Sequence, residues 1–207
     1  MDKLDLTKKY KTYYTAKTKP ELVQIEVAQF ISICGKGDPN DKPFSDNIEA
    51  LYSTAYTLKF IYKAIDKDFV VSKLEGLWWF DEAKYTGKDM VTTTVEVPRS
   101  EWEYRLLIRL PDFVTKQELE KAKETVLSKK GIQLAKHIEF HEMTEGKCVQ
   151  MLHLGPFSTE PATLKQIQNF CETNALTKNG FHHEIYLSDF RKTESDKLKT
   201  ILREPVK

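Results

Sequence analysis

The side chains with the clearest capacity for chemistry are those of Glu184 and Tyr186, in the segment NGFHHEIYLSDF at 179–190. The Asn-Gly pair predicts a turn. The residues after it alternate, so a strand would direct Glu184 and Tyr186 to one face and Ile185 to the other. The pair is either solvent-exposed or part of the wall of a concave apolar site. In such a site the carboxylate could bind a cation or act as an acid or base, and the phenol could donate a hydrogen bond.

A second acid, Glu75, precedes two tryptophans in the segment LEGLWW at 74–79. Strand spacing puts Glu75 and Trp79 on one face, where a carboxylate beside an indole ring is costly unless it is paired or functional. The alternative is a surface charge near the start of the strand. Trp78 or Trp79 could stack on a planar ligand, but adjacent strand residues face opposite ways, so we expect only one of them to line a cavity.

Three further side chains are candidate ligand contacts: Trp102, Tyr104 and His153. Trp102 and Tyr104 lie in an alternating run that ends at Pro111, and core packing explains them equally well. We expect His153 to pack where the two halves of the chain meet, hydrogen-bonded to a group of the pocket.

Histidine spacing raises the question of a metal site, at His137 and His141 and at the adjacent pair His182 and His183. The first two fall in a segment whose apolar residues alternate as in a strand. A spacing of four residues suits a pair of metal ligands on a helix, so it does not indicate a metal site in a strand. The HExxH motif is absent, as are phosphate-loop, dinucleotide and nucleophile-elbow motifs. We therefore expect neither a metal nor a cofactor.

Composition narrows the class of protein. The chain has 207 residues, of which 30% are charged, and a formal net charge of +1. Such a balance, without a basic stripe, argues against direct nucleic-acid binding. The cysteines Cys34, Cys148 and Cys171 are far apart and without a CxxC pair, so we expect buried apolar thiols in a reducing compartment. A polar N-terminus and the lack of an apolar run of about 20 residues predict a soluble, cytoplasmic protein without membrane association.

The first half of the chain predicts the order strand, helix, strand, strand. The elements are a strand at 23–34, a helix from 46 to about 65, and strands at 69–80 and 102–109. The helix begins at a capping box of Asp46 and Glu49. The connection between the last two strands contains Gly87 and a candidate short strand at 91–97.

The second half repeats that order after a charged helix at 115–130. This helix has a capping box of Thr115 and Glu118 and a glycine stop at Gly131. The later elements are a strand at 148–154, a helix at 160–174, and strands at 181–187 and 198–203.

Several motifs in this frame resemble one known family. The segments that resemble the GyrI-like (gyrase-inhibitor-like) small-molecule-binding proteins are QMLHLGPF at 150–157, HHEIYLSD at 182–189 and KTILREPV at 199–206. EGLWW at 75–79 and the Trp102 strand with its following PDF at 111–113 resemble the stand-alone bacterial branch of that family.

The resemblance implies an α+β fold of two β-α-β-β modules related by a pseudo-twofold axis. Their strands would form a curved antiparallel sheet with the helices on one side and a ligand cavity between the modules. We expect a single domain with an N-terminal arm at 1–20 that is ordered by docking, a first module at 21–112, and a second module with an extra helix at 113–207.

The resemblance also implies functions. Some relatives are effector domains of multidrug-sensing activators, with a buried glutamate at the position of Glu184. Some stand-alone relatives are cyclopropanoid cyclopropyl hydrolases, which open the strained ring of DNA-alkylating genotoxins. No helix-turn-helix precedes the domain here, which favours a free-standing protein. Family membership by itself does not imply gyrase inhibition.

We therefore expect a cavity that binds hydrophobic, planar small molecules, neutral or cationic. In a hydrolytic version, one of Glu184 and Glu75 would activate water, and Tyr186 or the other, protonated glutamate would polarise a carbonyl group. The alternatives are a protein that only sequesters or senses such a compound, or a protein-interaction module, for which the sequence shows no apolar surface patch.

Overall fold

A computed structural model describes residues 3–86 and 90–207. Across these two ranges the chain forms eight strands and five α-helices. The strands are β1 Glu21–Ile25, β2 Ala28–Lys36, β3 Leu74–Trp79, β4 Glu103–Arg109, β5 Glu139–Met143, β6 Gly146–Leu154, β7 His182–Tyr186 and β8 Lys199–Pro205. The helices are α1 Leu6–Lys9, α2 Lys42–Lys63, α3 Met90–Glu96, α4 Lys116–Lys130 and α5 Glu160–Thr173.

All strands join one curled antiparallel sheet in the order β1-β6-β8-β7-β3-β4-β2-β5. The two halves of this order correspond to each other. Read outward from the centre, one half runs β7-β8-β6 and the other runs β3-β4-β2, because β2-α2-β3-β4 and β6-α5-β7-β8 have the same internal arrangement. The modules join through the antiparallel pair β3 and β7. The predicted α+β fold with its repeated β-α-β-β order is confirmed.

Different segments of the chain pack on the two faces of the sheet. The helix α2 packs on β2 and β4, α5 packs on β6, and α4 lies against α2; we call this side the helix face. The opposite side is covered by α1 and the residues that follow it, and we call it the arm face. There Leu6, Tyr13 and Tyr14 are buried against Leu77 and Ile185 of the two central strands.

The first long helix begins earlier than its capping box predicted. It starts at Lys42, with Pro43 in its first turn, where the ring presets the helical φ and the missing N–H is not needed. Asp46 lies inside the helix, where it forms an ion pair with Lys42 at 2.6 Å. The prediction of a start at Asp46 and Glu49 was therefore wrong by one turn.

The candidate strand at 91–97 was also wrong, because Met90–Glu96 is the helix α3. Val91 packs in the cluster of α5, β6 and β8, so contact with the second module outweighs the β-branched composition of this segment. Gly87 lies outside the described residues. Cys34, expected to be buried, is exposed.

The charged helix is confirmed with its ends. The Thr115 hydroxyl accepts a hydrogen bond from the backbone N–H of Glu118 at 3.3 Å. Gly131 has φ 68°, the left-handed conformation that glycine adopts at a helix C-terminus. Within 3–86 and 90–207 no helix is both long enough and apolar enough to cross a bilayer.

The described residues predict one cooperative unfolding unit rather than two modules that unfold separately. The β3–β7 pair lies at the centre of the sheet, and Leu77 and Ile185 share one buried cluster across it. We expect near-ultraviolet circular dichroism and calorimetry to report coincident transitions. Two separated transitions would show that the modules are independent domains.

Candidate functional site

The register of β7 against β3 decides which acids can act together. Glu184 lies opposite Gly76, and Ile185 lies opposite Glu75. Because residues directly opposite in an antiparallel pair point to the same face, Glu184 belongs to the helix face and Glu75 to the arm face. The expectation that these two glutamates share a cavity was wrong: they lie in matching strands, but one residue out of phase.

On the helix face, Trp78, Tyr186 and Glu184 form a short chain of hydrogen bonds. The Tyr186 hydroxyl donates to Oε2 of Glu184 at 2.7 Å, and the Trp78 indole N–H donates to the Tyr186 oxygen at 3.2 Å. Gly76 makes room for this arrangement, since a Cβ there would lie 2.8 Å from the Trp78 nitrogen and 3.1 Å from the Tyr186 oxygen. Tyr186 is buried, and burial together with the Glu184 charge raises its pKa well above the usual value.

His182 extends the chain from the other oxygen of Glu184. Its Nε2 lies 3.3 Å from Oε1 of Glu184, and its Nδ1 bonds to Glu204. Burial alone would lower the pKa of His182, but the carboxylates of Glu204 and Glu184 outweigh it and raise the pKa well above its usual value. One oxygen of Glu184 therefore accepts a hydrogen bond from a phenol, and the other forms an ion pair with an imidazolium.

A third carboxylate, that of Glu160, lies beside this chain at the start of α5. Its Oε1 is buried and has no hydrogen-bond partner in the described part of the chain. Burial, and then the charge of Glu184, raise its pKa well above the usual range. Glu160, not Glu75, is thus the acid whose pKa is raised by the charge of Glu184.

Sequence reasoning missed Glu160. A glutamate in the first turn of a helix is common because it is favoured by the helix dipole, so its position alone carried no signal of a site. Only the packing of α5 against the sheet brings it near Glu184.

Aromatic rings surround the hydrogen-bonded chain. Phe157 and Phe190 pack edge-on against Tyr186, with ring centroids 5.9 and 5.4 Å away, and Phe44 of α2 stacks on Trp78 at 5.8 Å. A cleft of about 580 Å³, the larger cleft, opens beside them, and five of its twelve lining residues are aromatic: Phe44, Tyr52, Tyr56, Phe60 and Phe190. A smaller cleft of about 370 Å³ reaches Tyr186 itself.

The two tryptophans of β3 point to opposite faces. Trp78 belongs to the Glu184 chain. Trp79 stacks on Phe181 at 4.7 Å on the arm face and donates its indole N–H to Glu103 at 3.1 Å. It therefore lies away from the clefts.

The remaining candidates have different surroundings. Trp102 packs edge-on against Trp78 at 6.5 Å, and Tyr104 is buried under α2, where Asn47 donates to its hydroxyl at 3.1 Å. His153 is bonded through Nδ1 to Thr163 at 2.8 Å and through Nε2 to the carbonyl of Pro156 at 3.1 Å. Both its nitrogens thus fix the turn between β6 and α5 instead of facing a pocket group.

Glu75 belongs to a buried ionic network on the arm face. The ring nitrogens of His183 bond to Glu75 at 3.0 Å and to Glu145 at 2.9 Å. Tyr13 and Tyr14 donate their hydroxyls to the two oxygens of Glu75. A protonated His183 satisfies both carboxylates at once, so Glu75 is held by partners on every side.

Arg203 completes the network. Its guanidinium donates to Glu145 at 2.9 Å, to the backbone carbonyl of Tyr13 at 2.8 Å and to the Gln150 side chain at 3.0 Å. Two acids and two bases are therefore paired in a fully buried cluster that also fixes the arm. The arrangement gives Glu75 a place in a buried structural network that holds the arm on the sheet.

The histidines are accounted for by these and other contacts. His141 bonds to Arg105 at 3.0 Å, and His137 is exposed. Among residues 3–86 and 90–207 no group of three or more His, Cys, Asp or Glu side chains is arranged to hold a metal ion.

Comparisons with known proteins agree with this geometry. A family model described as a GyrI-like small molecule binding domain matches residues 18–207. The crystal structure of an uncharacterized conserved protein from Listeria innocua is 39% identical, with a TM-score of 0.88, and the match covers 99% of this chain and 100% of that one. A structure described as a hydrolase from Listeria innocua is 38% identical, with a TM-score of 0.84 and coverage of 99% and 100%.

The C-terminal domain of EcmrR is similar in fold alone, at 14% identity and a TM-score of 0.54, with coverage of 91% of this chain and 97% of that one. A comparison with curated protein sequences found no match.

The buried network predicts a specific loss of stability at alkaline pH. Burial lowers the pKa of His183, but Glu145 and Glu75 outweigh it and raise the pKa from 6.5 to about 8. Its stabilising contribution is therefore complete below about pH 6.5 and is lost as the pH rises through about 8. The unfolding free energy in urea should fall by about 2 kcal/mol from this group between about pH 6 and pH 9.

The control is the same measurement on two variants. The unfolding free energy of His183→Gln should lack the decrease that His183 causes, whereas that of the exposed His137→Gln should decrease as in the wild type. An NMR titration of the wild type should give His183 a pKa near 8 even if His183→Gln does not fold. A value at or below its ordinary 6.5 would contradict the paired network.

Proposed function

Because the chain belongs to the GyrI-like family of small-molecule-binding domains, we propose that it binds a flat hydrophobic molecule, neutral or cationic, on the helix face and adds water to a strained ring of that molecule. The observation that carries the proposal is a buried Glu160, whose Oε1 has no hydrogen-bond partner in the described part of the chain, within the electrostatic influence of Glu184, which itself accepts a hydrogen bond from Tyr186.

The aromatic surroundings support binding of a planar compound. Tyr52, Tyr56 and Phe190 line both clefts, whose volumes of about 580 and 370 Å³ lie in the usual range for small-molecule sites. Tyr56 and Phe60, which lie one helical turn apart on α2, are 46% and 59% exposed, so a bound aromatic ligand would cover their apolar surface.

The two carboxylates support acid–base chemistry because their environments differ. In the proposed reaction Glu184 takes a proton from water, and the water oxygen forms a bond to a ring carbon of a cyclopropane conjugated to a carbonyl group. The ring carbon–carbon bond breaks, and its electron pair moves through the conjugated system to the carbonyl oxygen. Neutral Glu160 protonates that oxygen, and the proton on Glu184 then returns to Glu160, so the net change is addition of one water molecule.

The 38% identical Listeria structure, described as a hydrolase, supports the reaction class. The strained-ring substrate comes from the sequence resemblance to the cyclopropanoid cyclopropyl hydrolases. Ring strain supplies driving force, so positioning of water and substrate would suffice.

A second function, binding without turnover, is favoured by one observation. Both oxygens of Glu184 are already engaged, one by a hydrogen bond from Tyr186 and the other by an ion pair with His182. A carboxylate held in this way is better prepared to face a bound cation than to take a proton from water. In that version the protein sequesters or senses the compound. We do not propose direct binding to nucleic acid in either version.

Substitution of the paired acids separates these two functions. We expect the wild type to speed ring hydrolysis of a duocarmycin-type cyclopropane compound, and Glu184→Gln to lower turnover by about 100-fold or more while binding persists. Glu160→Gln should have a similar effect on turnover. Turnover is followed by chromatography of the hydrated product, and binding by tryptophan fluorescence.

The matched control is Glu142→Gln, which removes an exposed carboxylate on β5. It should leave both measurements unchanged. Tight binding without wild-type turnover would establish sequestration instead. Full turnover in both Glu184→Gln and Glu160→Gln would reject the assignment of the acids.

A further inference from the structure

The segment between β7 and β8 separates the two clefts. Residues 188–192, which we call the strap, contribute Phe190 and Arg191 to the walls of both the larger and the smaller cleft. Tyr52 and Tyr56 of α2 form the facing wall of both. The strap therefore lies across the mouth of one aromatic space, and Phe190 covers Tyr186 next to Glu184.

The strap is held to the rest of the chain by few contacts. The backbone hydrogen bonds of Lys192 and Thr193 in the described structure run to Asp189, and the backbone N–H and guanidinium of Arg191 also bond to the Asp189 side chain. These bonds are local to the segment, so they keep its shape but do not fix its position. The Ser188 N–H donates to the Lys199 carbonyl of β8 at 3.3 Å, which anchors the first residue of the strap to the sheet.

Beyond this anchor, two side chains hold the rest of the strap in position. The Arg191 guanidinium lies over the Tyr52 ring, 5.1 Å from its centroid, and Phe190 packs against Tyr186 and Phe157. Aromatic and cation–π contacts at a partly exposed site are individually weak, so this attachment can open without loss of the sheet.

We propose that the strap is a gate over the Glu184 site, with Phe190 as its plug and the Arg191–Tyr52 contact as its latch. When the strap lifts, the two clefts become one space, and an aromatic ring of the ligand takes the place of Phe190 against Tyr186. Arg191 thereby controls the rate at which ligands reach Glu184 although it does not contact that residue. This inference rests on the proposed function, since it assumes that Glu184 faces a small molecule.

The latch can be tested without a ligand. In a background of Trp79→Phe and Trp102→Phe, Trp78 is the one remaining tryptophan, and it is 9% exposed beneath the Tyr186 hydroxyl. Adding Arg191→Gln should raise acrylamide quenching of Trp78 by about two- to fivefold, the factor that corresponds to one weak cation–π contact. The matched control is Lys192→Gln, which removes a neighbouring charge that pairs with Asp189 at 3.7 Å, and it should leave quenching unchanged.

The gate is tested by stopped-flow binding of the neutral planar dye Nile red. Because the ligand binds with the strap lifted, Arg191→Gln should raise the association rate constant by the same two- to fivefold factor and lower Kd by about that factor. Phe190→Ala should change both in the same direction. Phe181→Ala, which removes an aromatic ring on the arm face, should change neither.

The outcomes are distinct for the two proposals. Dye binding with the same rates and quenching in Arg191→Gln, Lys192→Gln and wild type would overturn the gate and leave the proposed function standing. A weaker Kd in Phe190→Ala through dissociation alone would make Phe190 a wall of the site and would also overturn the gate. Raised quenching in Arg191→Gln without dye binding to any variant would support the latch and reject the proposed function.

Discussion

The fold depends on one buried interaction, the imidazolium of His183 held between Glu75 and Glu145. Glu75 belongs to β3 in the first module and His183 to β7 in the second, so the charge pair crosses the junction of the modules. A buried charge without its partner costs several kcal/mol, and each module therefore requires the other to be docked. Arg203 and Tyr13 add the arm to the same requirement.

The two faces of the sheet differ in how their buried charged groups are arranged. Because strand residues alternate, the adjacent residues His182 and His183 point to opposite faces, and each is held by two glutamates. On the arm face Glu75, His183, Glu145 and Arg203 are paired with one another, and the cluster is closed by tyrosines. On the helix face Glu160 keeps an oxygen without a partner, and open clefts lie nearby. The closed cluster supplies rigidity, and the open one is where we propose that the chemistry takes place.

Much of this could be predicted from the sequence, and the failures have physical reasons. Alternation placed Glu184 and Tyr186 on one face, and local capping residues fixed both ends of α4, because these signals act over a few neighbours. The partner of Glu184 could not be found in this way. A shift of one residue between β3 and β7 moves Glu75 to the other face, and only the packing of α5 brings Glu160 near.

The position of the bound ligand is the decisive question: we propose that it lies on the helix face and not on the arm face. The indole N–H signals of the three tryptophans report this directly in an NMR titration of the full chain with Nile red. Trp78 donates to Tyr186 beside Glu184, whereas Trp79 donates to Glu103 on the arm face. If the ligand binds on the helix face, the Trp78 signal shifts and the Trp79 signal stays in place. A shift of Trp79 with Trp78 unchanged would contradict it.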